Sequence, residues 1–283
     1  MRVEQEMFEL ILNVAETDER IRAVSMEGSR ANPNIPKDPY QDYDITYYVT
    51  DITAFYNKPE LIIEKFGKPL IMQMPETMRN PDGGGHFNYM MIYPDGNRLD
   101  LTFQPKKHID TGEPFVILLD KDSGKGFLPI ISQTSDNLYH IKTPTALEYY
   151  SCCNNFWWCL NNVAKGIARD ELPYVMYMIN NVVRDELHFM IDWYIGLTLG
   201  FDRSVGKAGK YYKSLLPPMI YKQYRSTYSS GDYADIWTAV SEMCNLFNSL
   251  AVPVGAYFEF DYRKHEEDGI REYLRIVKEE IPQ

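Results

Sequence analysis

Three aspartates, Asp42, Asp44 and Asp100, stand where strand geometry can gather them. Side chains at i and i+2 of a strand share a face, so Asp42 and Asp44 lie side by side at the start of the aromatic, β-branched run 43–49. In the run 98–103, Leu99, Leu101 and Phe103 form the core face. Period two then puts Asp100 with Arg98 and Thr102 on the opposite, accessible face, where a neighbouring strand could deliver it beside the first pair. Clustered carboxylates repel unless a cation neutralises them. Hard oxygen ligands in this number suit Mg²⁺, which bridges a few carboxylates to substrate phosphates. Taken alone, an Asp-x-Asp pair in an acidic chain also fits a loop or a solvated strand end.

Two further stretches carry the chemistry of anion binding. Glu27-Gly28-Ser29-Arg30 closes the first β-like run, and its glycine can turn sharply and let backbone N–H groups approach a phosphate while Ser29 adds a hydroxyl. An ordinary strand-ending turn is the alternative. Gly206-Lys207-Ala208-Gly209-Lys210-Tyr211-Tyr212-Lys213 is the only compact basic cluster. Its lysines have the spacing of one helix face, and Lys207 and Lys210 could clamp the outer phosphates of a triphosphate; a solvated surface is the alternative.

The elements that must position these groups follow from periodicity. Met7, Phe8, Ile11, Val14 and Ala15 recur at helical spacing, and a short strand over 21–26 follows. The proline-punctuated stretch 32–39 must be a loop, since proline removes donors and restricts its predecessor. A strand over 43–49 and a helix over 61–66 closed by Gly67 come next. Runs 87–93 and 98–103 flank Pro94-Asp95-Gly96-Asn97 and read as a β-hairpin, with a further strand over 116–119. From about residue 143 helices dominate. Thr145 and Glu148 have capping-box spacing ahead of a long apolar-periodic run, and further helices are expected over 172–199, 232–250 and 270–281. The expected architecture is α+β: a mixed-sheet domain over 1–142, then an α-helical bundle domain over 143–283.

Composition narrows the function classes. The 283 residues, 45% hydrophobic and 24% charged, supply real cores and exclude disordered or metal-stapled miniature classes. A net charge of -11 argues against a broad basic face for nucleic acid and suits a cationic partner. Four cysteines, three crowded as Cys152, Cys153 and Cys159, lack zinc spacing and read as reduced packing residues, which favours the cytoplasm. The acidic amino terminus is unlike a signal peptide, and no apolar run approaches ~18 residues, so neither export nor a membrane is expected.

The order strand, Gly-Ser turn, loop, Asp-x-Asp strand, then a hairpin carrying one more Asp resembles the nucleotidyltransferase fold of the polymerase β superfamily. The resemblance extends further. Glu27-Gly28-Ser29-Arg30, Gln41-Asp42-Tyr43-Asp44-Ile45, Asp95-Gly96-Asn97-Arg98-Leu99-Asp100-Leu101-Thr102, Leu118-Leu119-Asp120-Lys121-Asp122 and Cys152-Cys153-Asn154-Asn155-Phe156-Trp157 together resemble the aminoglycoside 6-adenylyltransferases, which modify streptomycin. The resemblance covers nearly the whole chain. It implies ATP and Mg²⁺ as cosubstrates, transfer of AMP to a hydroxyl of the drug, inactivation of the antibiotic, and a helical domain that completes the drug site. On that reading Asp42, Asp44 and Asp100 are catalytic and hold the metal, while Gly28, Ser29, Arg30, Lys207 and Lys210 bind the nucleotide. The glycine-rich stretch 81–86 departs from the family's pattern.

Other residues have plainer readings. Asp120-Lys121-Asp122 reads as a strand-end turn. Trp157 and Trp158 cannot both face the core of one helix, so one is available to stack on a drug ring, although aromatic stripes at helical spacing are usually packing. Asp185, Glu186 and Asp192 could bind guanidinium groups, although acids along helices usually face water. Two alternatives stay open: a nucleotidyltransferase with a different hydroxyl acceptor, and a catalytically silent nucleotide-binding regulator. Intact Asp42, Asp44 and Asp100 argue against the second.

Overall fold

The structure, a computed structural model, describes residues 2–81, 83–105, 115–123 and 140–280. The chain divides into two compact units, residues 1–138 and 139–283, against the sequence-based boundary at 142/143.

The first unit is built on a six-stranded mixed sheet. Its strands are β1 (Ile21–Glu27), β2 (Tyr43–Val49), β3 (Ile71–Gln73), β4 (Phe87–Ile92), β5 (Arg98–Pro105) and β6 (Phe115–Asp120), in the order β3-β4-β5-β2-β1-β6. The β2 and β5 strands run parallel and every other neighbouring pair is antiparallel. Alternation sorts the faces as expected: Tyr43, Ile45, Tyr47, Leu99, Leu101 and Phe103 are buried on one side, where the helix α1 (Glu4–Thr17) adds Met7, Ile11 and Ala15. The Asp-Gly turn closes the β4-β5 hairpin. Gly96 takes φ +83°, its N–H donates to the Tyr93 carbonyl, and the Asp95 carboxylate accepts from the Asn97 N–H. After β1 the chain enters one helical turn, α2 (Gly28–Ala31), before the proline-rich loop. The helix expected over 61–66 starts two residues earlier as α3 (Pro59–Phe66) and stops at Gly67, φ +87°.

The second unit is helical. The α4 helix (Ala146–Ala168) opens on the capping box: the Thr145 hydroxyl accepts from the Glu148 N–H, and the Glu148 carboxylate accepts from the Thr145 N–H. The helix expected over 172–199 is α5 (Leu172–Met178), a π-turn at Ile179–Val183, and α6 (Arg184–Leu199) in continuous sequence. Short helices α7 (Tyr212–Leu215) and α8 (Pro218–Ser226) follow, then α9 (Tyr233–Phe258) and α10 (Lys264–Glu280). The α9 helix runs past the expected end at 250 and carries Pro253 in its interior, which deprives it of one N–H donor. Residue 281, the expected end of the last helix, lies outside the described residues. The core of this unit gathers Phe156, Trp157, Leu160, Val183, Leu187, Met243, Phe247 and Leu250, with the rings of Phe156 and Phe247 stacked at 3.7 Å. All four cysteines are buried and free, and burial pushes the Cys153 and Cys244 thiols up to about 12.

Candidate active site

The β1, β2 and β5 strands bring the carboxylates together. Tyr43 aligns with Leu99 and Asp44 with Asp100 across the parallel β2-β5 pair, so both aspartates leave the sheet on the same face. Asp42, one residue before β2, shares that face. Each of the three offers a carboxylate oxygen within 4.8 Å of the other two. The transverse row continues on the far side, because Asp44 is opposite Glu27 across β1. Glu27 thereby adds negative charge beside Asp44, a contribution that no strand-by-strand reading exposes, since it depends on the β1-β2 register.

These carboxylates feel one another. Burial, with Asp100 and then Asp42 beside it, pushes the Asp44 carboxyl up to about 6. Burial also raises Asp42, partly offset by Arg98. Arg98 is the resident counter-ion. Its Nε and Nη2 donate to the two oxygens of Asp100 at 3.0 and 2.6 Å, and its Nη1 lies 3.1 Å from Asp42 Oδ2. The bond to Asp100 holds this guanidinium still more firmly protonated than usual.

The turn after β1 is fitted to the second aspartate. Gly28 takes φ +68°, a conformation that side chains disfavour, and a Cβ there would lie 2.2 Å from Asp44 Oδ2. The loop is braced behind it. Gln41 Nε2 donates to the Ser29 carbonyl at 3.2 Å. Arg30 Nε and Nη2 donate to the Asp42 and Gln41 carbonyls at 3.0 and 2.9 Å, and the guanidinium lies 3.9 Å over the Tyr43 ring. The Arg30 side chain thus fixes the backbone that presents Asp42.

The three carboxylates are hard oxygen donors, convergent and short of positive charge, and a cation in the form of Arg98 already sits on two of them. A single Mg²⁺ fits such a donor set.

The other candidates lie on other elements. Lys207 and Lys210 belong to the second unit and are exposed. The expectation that Lys207, Lys210 and Lys213 share a helix face is corrected. Lys207 begins a 3₁₀ turn, Ala208 and Gly209 take φ +55° and +73°, and only Lys213 lies in α7, because left-handed backbone breaks the helical period. Trp157 is 2% exposed and Trp158 68%, so the core takes one and solvent the other. Asp120-Lys121-Asp122 is a strand-end turn whose Asp122 is forked by Arg22 at 2.7 and 3.1 Å. Glu186 accepts from Asn155 Nδ2 at 2.6 Å, Asp192 accepts from the Tyr212 hydroxyl at 2.5 Å, and Asp185 is exposed. In the glycine-rich stretch, Asp82 lies outside the described residues.

A glycine turn facing an Asp-x-Asp strand, with a parallel neighbour supplying one more aspartate, defines a nucleotidyltransferase fold joined here to a helical domain. The chain belongs to the streptomycin adenylyltransferase family, whose model matches residues 1–277. It is similar to the aminoglycoside 6-adenylyltransferase of Bacillus subtilis (strain 168), 39% identical over 284 residues and 98% of both chains. The enzymes of the same name from Campylobacter jejuni and Staphylococcus aureus are 38% and 33% identical, covering 94% and 97% of this chain and 93% and 98% of theirs. A crystal structure of an aminoglycoside 6-adenyltransferase from Bacillus subtilis covers 98% of this chain and 99% of its own at 34% identity, with a TM-score of 0.48.

Proposed function

We propose that the protein transfers AMP from ATP to a hydroxyl of a streptomycin-like aminoglycoside, and so inactivates the antibiotic. The observation that carries this reading is the register pair Asp44 and Asp100 with Asp42 beside them, in a chain of this family. Asp42, Asp44 and Asp100 would hold Mg²⁺. When bound, the ion neutralises phosphate charge and orients the α-phosphate for in-line displacement. The acceptor oxygen forms the new bond to the α-phosphorus, the bond to the bridging oxygen breaks, and pyrophosphate leaves. Asp100 takes the proton of the attacking hydroxyl, as the third carboxylate of the cluster and the one not paired in the Asp-x-Asp motif. Gly28 and Ser29 border the nucleotide, and Lys207 and Lys210 supply positive charge for its outer phosphates. The net charge of -11 has the sign that attracts a polycationic drug.

The test is incubation with labelled ATP, Mg²⁺ and a panel of aminoglycosides, followed by mass analysis of each drug. A gain of one AMP on streptomycin, dependent on Mg²⁺ and absent in Asp44→Asn, is expected. No mass gain on any member of the panel would sink the acceptor assignment.

A further inference from the structure

Arg98 is the one cation in direct contact with the carboxylates of the aspartate cluster among the described residues, and it claims the oxygens that a metal ion would need. Its guanidinium takes both oxygens of Asp100 in the planar fork of a bidentate pair and reaches Asp42 with the remaining nitrogen. A carboxylate has further lone pairs, so ligand count alone would let a metal ion and Arg98 share Asp100. Charge does not favour sharing. A dication drawn among three carboxylates whose oxygens lie within 4.8 Å of one another would stand against a fixed guanidinium inside the same cluster, and like charges at such range repel strongly. Arg98 is also free to yield. Its side chain is 40% exposed against 18% for Asp100, and it is the first residue of β5, directly after the hairpin turn.

We propose that Arg98 is an exchangeable counter-ion: it neutralises Asp42 and Asp100 until the divalent cation enters, and its guanidinium then leaves both carboxylates. The inference rests on the metal reading given above. It makes Arg98 a positioning residue, which keeps the carboxylates convergent without a metal and lowers the affinity of the cation-binding cluster for the bare ion. Nucleotide and cation arriving together escape that handicap, because the phosphates offer the displaced guanidinium a new anionic partner. Cation binding should therefore be weak alone and strong with nucleotide.

The test uses the full-length protein without drug. Calorimetry with Mg²⁺ and with Mn²⁺ would compare the unsubstituted protein with Arg98→Gln, Arg98→Lys and Asp44→Asn. In parallel, the side-chain Nε–H resonance of Arg98, assigned by its loss in both Arg98→Gln and Arg98→Lys, would be followed during Mg²⁺ titration. Arg98→Gln should bind the bare cation ~5-fold more tightly, the factor expected for removing a partly exposed ion-pair competitor. Arg98→Lys should gain less than Arg98→Gln, because it keeps the competing charge and loses only the fork that holds it on Asp100. The Arg98 resonance should move with Mg²⁺ saturation. A glutamine variant that binds the bare cation no more tightly than the unsubstituted protein, or an Arg98 resonance unchanged at saturation, would overturn the exchange while leaving the metal site standing. Absence of any cation binding by the unsubstituted protein, with or without ATP, would instead overturn the metal reading. If Arg98→Gln fails to fold, the lysine variant and the resonance titration still decide.

Discussion

Gly28 and Asp44 are fitted to each other: a Cβ on Gly28 would fall 2.2 Å from Asp44 Oδ2 and 3.1 Å from its Cγ. The glycine therefore has two reasons to be a glycine, its φ of +68° and the carboxylate standing where a side chain would go. Gly28→Ala should cost ~1–2 kcal/mol of stability from the left-handed backbone. It should also displace Asp44 and lower turnover by ~10²-fold, as small misplacements at a reacting centre do. Urea midpoints and kcat measure the two effects separately. Near-normal turnover would show that the turn tolerates a side chain and that the contact has no catalytic weight.

Ser29→Ala leaves that backbone in place and removes only a hydroxyl. It should weaken ATP use and spare drug binding, which calorimetry with each ligand can resolve. Equal loss for both ligands would return Gly28-Ser29 to a simple turn.

Asp42→Asn and Asp44→Asn should each fold normally and lose activity by ~10²–10³-fold, corresponding to several kcal/mol of transition-state stabilisation at tenfold per 1.36 kcal/mol. Neither aspartate anchors the core, which lies on the opposite face of the sheet. Circular dichroism and kcat at saturating Mg²⁺ check the two halves. Retained turnover in Asp44→Asn would remove it from the metal site.

Lys207 and Lys210 are exposed on a 3₁₀ turn in the second unit, and Lys210 Nζ lies 5.1 Å from the centre of the Tyr211 ring. If they serve the outer phosphates, the double change to Ala should raise the KM for ATP by ~10-fold with little change in the KM for the drug. An unchanged KM for ATP would assign them to the solvated surface.

Asp192 gives a pH signature of stability. Burial raises its carboxyl to about 6 in the folded chain, and the Tyr212 hydroxyl offsets that only in part. Between the ordinary carboxylate value near ~4 and about 6 the folded state holds more protons than the unfolded one. The associated stability is therefore complete below ~4 and is lost as pH rises through about 6. Asp192→Asn should remove this dependence and make the protein more stable than the unsubstituted chain at pH ~7.5, by up to ~3 kcal/mol. Urea unfolding of both proteins at pH ~4.5 and ~7.5 tests it. A stability gap between them that is the same at both values would show that Asp192 titrates normally.

What the sequence by itself determined is whatever depends on local period and local chemistry. Alternation in 98–103 separated Leu99, Leu101 and Phe103 from Asp100, the Asp-Gly pair marked the hairpin, and Thr145 with Glu148 marked the start of α4. The short β3, with two exposed residues among its three, gives no alternation to read, and the lysine cluster kept helical spacing across a segment whose backbone turns left-handed. Period also allowed the aspartates to meet but did not make them meet. That took the parallel pairing of β5 with β2, which sets Asp100 opposite Asp44, and the antiparallel pairing of β1 with β2, which adds Glu27 and seats Gly28 against Asp44. The reach of Arg98 to Asp42 was decided the same way. Such relations join residues tens of positions apart through strand order and register, and these are fixed by the packing of whole faces, which no local window contains.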